Sequence, residues 1–449
     1  MIRSIRSTAA CVSTVAALAG ALALVALSPR AAHAQNPTQP PQGVRLGLSY
    51  ALGTKPGVLV LPADSADGDS IRAILQRDLD YDDRATVIQL DEAGARALLP
   101  KTADRFKYPL FAKLGVVAIL RPQRSLDGIT VTMYDVASKK RVQTGSFPLP
   151  DGANSPAWRM AVHAVSDRIG MWIFGTPGSA ATRVLYSGGD KQIWQIDTDG
   201  ANPRKLTSLT LAMSPAWSPD GRRFVFSGFN SRGSQIAVYD FTTRDFTWKS
   251  ATPRGLNITP VFSPDGNTIA YASGADRGTD IMLTDAGAED PARRITVGRG
   301  SDNTSPTYSP DGRQIAFMSG RAGHPEVYVM DADGTNPQIL TDFTYGEAAY
   351  RASPDWSPDG RQIAYESRID GSFQIMTIDL RDRSTKQYTS DGENEDPSWA
   401  PDGRHLVFSS TRAGPRELWI LDTESGRMRQ LTHAPGARLP AWSPLLAGR

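Results

Sequence analysis

The sequence predicts a small α/β domain followed by a six-bladed β-propeller of four-stranded blades, with the ring closed by the C-terminal strand. Three observations carry that prediction. Six times between residues 215 and 444 the chain spells Pro, any residue, an aromatic residue, then Ser-Pro or Ala-Pro. The copies begin at Pro215, Pro260, Pro306, Pro354, Pro397 and Pro440, with spacings of 45, 46, 48, 43 and 43 residues. That is the length of one four-stranded propeller blade. The stretch before the first copy instead alternates strand and helix periodicities.

Each repeat reads as strand, turn, strand. The first five copies continue Asp-Gly, as in Ser309-Pro310-Asp311-Gly312. Pro presets φ for the turn, Asp accepts local backbone hydrogen bonds and Gly tolerates positive φ. A second strand follows with small and large apolar residues, as in Ile315-Ala316-Phe317-Met318. A third ends on Asp197, Asp240, Asp285, Asp331, Asp379 or Asp422, and a fourth often closes on Leu-Thr, as at Leu340-Thr341. Turn chemistry accounts for the Pro-Asp-Gly carboxylates without a metal. The strand-end aspartates are spread one per blade, unlike a local calcium loop, and read as structural hydrogen-bond acceptors.

Closure follows from counting strands. Val184-Leu185-Tyr186-Ser187 starts a repeat with no Pro-x-Trp strand before it, and Pro440-Ala441-Trp442 has no repeat after it. Pairing the two completes six blades and leaves no open sheet edge.

The domain before the ring is expected over residues 44–178, and the propeller over 183–449. Val44-Arg45-Leu46-Gly47-Leu48-Ser49 alternates like a strand, and Val58-Leu59-Val60-Leu61 reads as a buried one. Asp69 or Ser70 is the expected cap of a helix with Ile71, Ile74, Leu75 and Leu79 on one face. A strand from Val116 to Leu120 precedes a hairpin turning at Asp127-Gly128, with arms near Ile129–Tyr134 and Arg141–Phe147. Ser155-Pro156 opens a long helix whose Trp158, Val162, Val165, Ile169 and Trp172 recur at helical spacing. His163 and Asp167 lie four apart on it; a helix-face contact explains them as well as a catalytic pair does.

Residues 1–34 read as an export signal. Arg3 and Arg6 precede an apolar run from Val15 to Leu27, then Ala32-His33-Ala34 ahead of Gln35. The run is short for a membrane span, so no direct membrane insertion is expected. The only cysteine, Cys11, precedes that run, which leaves no disulfide or lipid-bearing thiol in the exported chain. Without the leader, 46 basic residues face 47 acidic ones, a balance that argues against nucleic acid as partner. Gln35 to Gly43 is a Pro/Gln-rich flexible leader.

The chain resembles the TolB family of periplasmic propellers from the Tol-Pal envelope system, over about Val44 to Leu445. The resemblance rests on the Ser-Pro-Asp-Gly repeats and on the closing Leu439-Pro440-Ala441-Trp442-Ser443-Pro444. Pro56-Gly57-Val58-Leu59-Val60-Leu61-Pro62 and Ala161-Val162-His163-Ala164-Val165-Ser166-Asp167 add to it. It implies a monomeric, non-enzymatic adaptor without cofactor or metal. Its propeller mouth would bind the peptidoglycan-associated lipoprotein Pal, and its N-terminal strand, at Val44, Arg45 and Leu46, would engage TolA. Matching the family's mouth loops assigns partner contact to Asn257, Asp302, Asn303, Thr304, Arg351, Glu395, Asp396 and Arg438. The chain departs from the family at Leu256-Asn257, where His-Asn is usual, and in the leader Gln35 to Gly43.

Two alternatives share these residues. Similar repeats cover the active site of prolyl-oligopeptidase-like peptidases, but no Gly-x-Ser-x-Gly elbow occurs here. His163, His324, His405 and His433 show no metal-ligand spacing. An exported propeller binding an unrelated peptide, glycan or small ligand in its channel has the same fold signature.

Overall fold

The computed structural model describes residues 54–446, apart from 64, 101–104, 231–232, 250–254, 276–277, 288–290, 298–300 and 342–348. The expected export signal, the leader and the strand at Val44, Arg45 and Leu46 lie outside the described residues.

The α/β part is ordered β1 (Gly57–Val60), α1 (Gly68–Tyr81), β2 (Thr86–Val87), α2 (Glu92–Ala97), α3 (Tyr108–Lys113), β3 (Ala118–Ser125), β4 (Gly128–Asp135), β5 (Lys140–Pro148) and α4 (Pro156–Phe174). Its sheet runs β2-β1-β3-β4-β5, parallel around β1 and antiparallel from β3 onward. Alternation along β1 and β3 splits the core in two. Val58, Val60, Ala118 and Leu120 face α1 and α4, while Leu59, Leu61 and Ile119 face Phe106 and Phe111.

Two local expectations are corrected. The cap position of α1 is Asp67, and Asp69 and Ser70 lie inside its first turn. There the Asp69 carboxylate favours the positive end of the helix dipole. The turn at Asp127-Gly128 joins β3 to β4, whereas the arms near Ile129–Tyr134 and Arg141–Phe147 meet through 136–139. For α4, Ser155 caps the start by accepting from Trp158 N at 3.2 Å, and Gly175 ends it at φ 80°.

The ring consists of six four-stranded blades. Counting from the first, their innermost strands are Arg438–Trp442, Leu211–Trp217, Leu256–Phe262, Asn303–Tyr308, Arg351–Trp356 and Asn394–Trp399. Blade one is closed as the sequence predicts: Arg438, Ala441 and Trp442 pair with Ser187, Leu185 and Val184 of β6 (Arg183–Ser187). The small-large alternation of second strands fills the gaps between blades. Ile315 and Phe317 pack against Ala270 and Ala272 of the blade before, and Ala316 packs against Ile363 and Tyr365 of the blade after. Large residues meeting small ones keep the wedge close-packed.

The turns are built as their chemistry predicts. Ser218, Ser263, Ser309 and Ser357 each donate to the turn carboxylate two residues on, Asp220, Asp265, Asp311 and Asp359. The fifth copy has Ala400, and its Asp402 instead bonds His405 Nδ1 at 2.7 Å and accepts from Ser179 Oγ at 2.8 Å. The break in the repeat therefore coincides with the segment that leads from α4 into the ring. Strand-end Asp240, Asp379 and Asp422 accept backbone N–H groups of their own turns.

Candidate functional site

A mouth face and a turn face follow from strand direction. Loops entering the innermost strands gather on the first, and Pro-Asp-Gly turns on the second. The α/β part meets the turn face. Asp199, in the loop after the third strand of blade one, receives Arg77 from α1 and Arg159 from α4. It also faces His163 Nε2 at 3.4 Å. The far ring nitrogen of His163 pairs with Asp78 at 2.8 Å. Burial alone would lower the His163 pKa, but Asp78 and Asp199 together raise it to about 10.

His163 and Asp167 are thus not partners of one another. Asp167 accepts Ala180 N at 2.7 Å and Ala181 N at 2.9 Å, tying α4 to the entry of the ring, and burial raises its pKa to about 7. Arg427 adds a pair to Asp80 at 2.7 Å, and Arg429 lies 4.0 Å over the Tyr81 ring.

On the mouth face the sequence-predicted residues separate into two groups. Asn257, Asn303, Arg351 and Arg438 occupy corresponding places near the start of the innermost strands of blades three, four, five and one. Asn257 is fully buried and donates to Ser234 O of the preceding blade at 2.7 Å. Asn303 is fully buried too, donating to Thr279 O at 3.0 Å and accepting from Ser319 Oγ and Arg321 Nη2. Arg351 pairs with buried Glu326 of the blade before at 2.6 Å. These three side chains staple blade to blade. Asp302 and Arg438 are exposed, and Thr304 is half-buried.

Glu395 pairs with Arg416 at the rim. Asp396 points inward, accepting from Leu439 N at 3.2 Å, while its own N–H donates to Glu366 Oε2 at 2.8 Å.

Sequence reasoning missed the channel wall. The residue before each repeat proline has a left-handed backbone: Ser214 at φ 52°, Thr259 at 49°, Ser305 at 52°, Ser353 at 49°, Asp396 at 56° and Leu439 at 52°. Each innermost strand carries a bulge there. Non-glycine residues rarely adopt this region, and a β-branched Thr259 in it is strained. The sequence carries no signal of it, since a residue before proline is expected in the extended region.

These bulges surround a central cavity of about 340 Å³. It reaches the turn face at Pro219, Pro358 and Pro444. Among its lining residues Asp355 and Asp396 alone ionise. Burial raises the Asp355 pKa to about 6 and raises that of Asp396 as well. Among the described residues no group of three or more His, Cys, Asp or Glu could hold a metal ion.

Comparison with known proteins adds the family. A crystal structure of TolB from Acinetobacter baumannii superposes with TM-score 0.74 at 25% identity, covering 87% of this chain and 97% of that one. Tol-Pal system protein TolB of Methylococcus capsulatus is 33% identical over 201 residues, 42% of this chain and 46% of the relative. The protein of that name from Thioalkalivibrio sulfidiphilus is 37% identical over 116 residues, 24% of this chain and 26% of the relative. In sequence, then, the chain spans less than half the length of these curated relatives. The profile of the TolB beta propeller domain matches residues 173–446. With its six closed blades and that match over more than half its length, the chain belongs to the TolB beta-propeller family.

Proposed function

We propose that this protein serves as the TolB component of a Tol-Pal system, a monomeric protein-binding adaptor of the periplasm rather than an enzyme. The observation that carries the reading is the likeness to the Acinetobacter baumannii TolB structure, which extends over 97% of that chain, well beyond the ring alone. On this reading the mouth face holds the peptidoglycan-associated lipoprotein Pal. The N-terminal region around Val44, Arg45 and Leu46 engages TolA, and the link supports envelope integrity and division. The domain division at 44–178 and 183–449 belongs to the same proposal.

Three mouth residues remain as contacts a partner can reach: Asp302, Thr304 and Arg438. Exposed charges at a rim steer association and set its salt dependence more than they set affinity. The test is calorimetric titration of the full chain with the soluble domain of the same organism's Pal. Saturable binding is expected, weakened in an Asp302→Arg, Arg438→Glu double variant that still shows a folded ring by circular dichroism. Unchanged affinity and salt dependence in that variant sinks the mouth assignment. Absence of any binding by the unaltered chain sinks the adaptor reading.

A further inference from the structure

We propose that the groove between blades four and five, on the turn face, is a docking site for a basic side chain, lysine or arginine, carried by a segment of a partner protein. The inference stands apart from the adaptor reading, because the groove lies on the opposite face of the ring from the mouth. Its volume of about 390 Å³ falls among small-ligand sites, which begin at about 300 Å³.

The other blade junctions show what such a groove holds. One position in the fourth strand lies two residues before the residue whose N–H returns to the third strand. It is Arg293 in blade three, Gln338 in blade four, Lys386 in blade five and Arg429 in blade six. The three basic side chains each cross to the turn after the third strand of the next blade and donate to a carbonyl there. Arg293 reaches Asp333 O at 3.4 Å, Lys386 reaches Thr423 O at 2.9 Å and Arg429 reaches Thr198 O at 2.9 Å. In blade two Lys249, placed two residues later, reaches Gly287 O at 3.2 Å. The junction of blades one and two is closed by an aromatic ring instead, Phe241 packing into the cluster that holds Leu206.

Blade four departs from this pattern. Gln338 is neutral, shorter than Lys or Arg, and exposed. The Leu380 carbonyl corresponds to that of Thr423, since each residue's N–H closes the same bond back to its second strand, on Arg361 O and Arg404 O. Among the described residues no side chain of blade four donates to it. Gln338 and Leu380 both line the groove. The opening therefore coincides with the one cross-blade contact that the repeat omits.

The lining fits the missing group. Val329, Leu340 and Leu380 belong to one apolar cluster and offer a surface for an aliphatic stem. Asp331 adds a carboxylate whose side-chain partners, Asn336 at 2.7 Å and Thr335 at 3.3 Å, are neutral. A cationic head gains a charge-assisted bond there. Arg383 balances the charge of Asp331 in the lining, so stem length and hydrogen bonding select the guest, not a general field. A protein segment is the source because the ring delivers its own three side chains from a flanking strand, and a stem with one or two hydrogen bonds holds little unless a backbone positions it.

The experiment is a ligand-observed NMR titration of the full chain with the capped tripeptides Gly-Arg-Gly and Gly-Lys-Gly, with capped Gly-Leu-Gly as the apolar control. Saturable binding of the basic peptides and none of the leucine peptide is expected. Gln338→Arg supplies the absent side chain from within and should weaken that binding about tenfold or more. Gln338→Ala leaves the groove open and should retain it. A basic peptide held elsewhere on the ring is indifferent to the Arg variant, so the loss locates the site. The same Arg variant should melt about 2 °C above Gln338→Ala, because it restores a cross-blade hydrogen bond. The proposal is overturned by no saturable binding of either basic peptide, by equal binding of the leucine peptide, or by undiminished binding in Gln338→Arg. An Arg variant that melts no higher than Gln338→Ala overturns it too, as does binding of cadaverine without either peptide, which would assign a free amine.

Discussion

At the scale of single residues the ring is held by a repeated threonine. Thr207, Thr296, Thr341, Thr389 and Thr432 follow the fourth strands of their blades. Each accepts a backbone N–H from the third strand, from Ile193, Ile281, Val327, Ile375 and Leu418 in turn. Each then donates to the side chain just before that residue: Gln192, Asp280, Glu326, Gln374 or Glu417. The recurring Leu-Thr was visible in the sequence as a strand ending; its acceptor was not, because it varies among Gln, Asp and Glu. The acceptor's charge should set the energetic weight of the threonine. Thr207→Val leaves a neutral amide short of a donor, for about 1 kcal/mol. Thr432→Val strands the buried Glu417 carboxylate, for about 2–3 kcal/mol. Urea unfolding of the two variants measures the difference, and equal losses would contradict the role assigned to the acceptor.

At the scale of elements, most of the propeller was legible because its pattern repeats six times. Blade length, turn position and closure all follow from residue spacing. The short elements were not legible: β2 is two residues long, and α2 and α3 are six each, too short to show a period. The burial of two mouth residues was not legible for a different reason. Asn257 and Asn303 look like loop residues ahead of a proline. In the structure both lie within the innermost strand, ahead of its bulge, with their side chains buried in the blade. Sequence distance from the proline does not reveal that burial.

The closing strand permits a test at this scale. Trp442 is 7% exposed, packs between Val184 and Ala400, and donates Nε1–H to Thr182 Oγ1 at 2.8 Å. Trp442→Ala removes a large buried side chain, at about 3–5 kcal/mol, while the Thr182 hydroxyl keeps its bond to Ser179 O. Loss of pairing at this strand re-opens an edge in blade one, so aggregation on heating should accompany the lower midpoint. Thermal unfolding with light scattering reads both; an unchanged midpoint would show that blade one does not depend on this strand.

At the scale of the whole molecule, a set of charged groups joins the α/β part to the ring. Arg77, Arg159 and His163 converge on Asp199, and Arg427 reaches back to Asp80 and Asp83. Breaking such a buried set by removing one member is costlier than the set's net contribution, since the remaining charges stay buried. The joint therefore responds to pH in a defined direction. His163 has a folded pKa near 10 against an ordinary value of 6.5. Its stabilising effect is complete below about 6.5 and is lost as pH rises toward 10. For Asp199, burial would raise the pKa, but the hydrogen bond and charge of His163, with Arg77, hold it well below the ordinary 3.8. Its contribution is present above that value and is lost only in strong acid. Both effects are complete between about 4 and 6.5. His163→Gln keeps a polar group but cannot be protonated, so its stability deficit relative to the unaltered chain should be largest in that window. The deficit should shrink steadily between neutral pH and 10. Urea unfolding across that range measures the gap, with proteolysis of the 175–181 segment as a second readout of the same joint. A gap that stays constant with pH would mean that His163 acts here through shape alone, and that Arg77 and Arg159 suffice to hold Asp199.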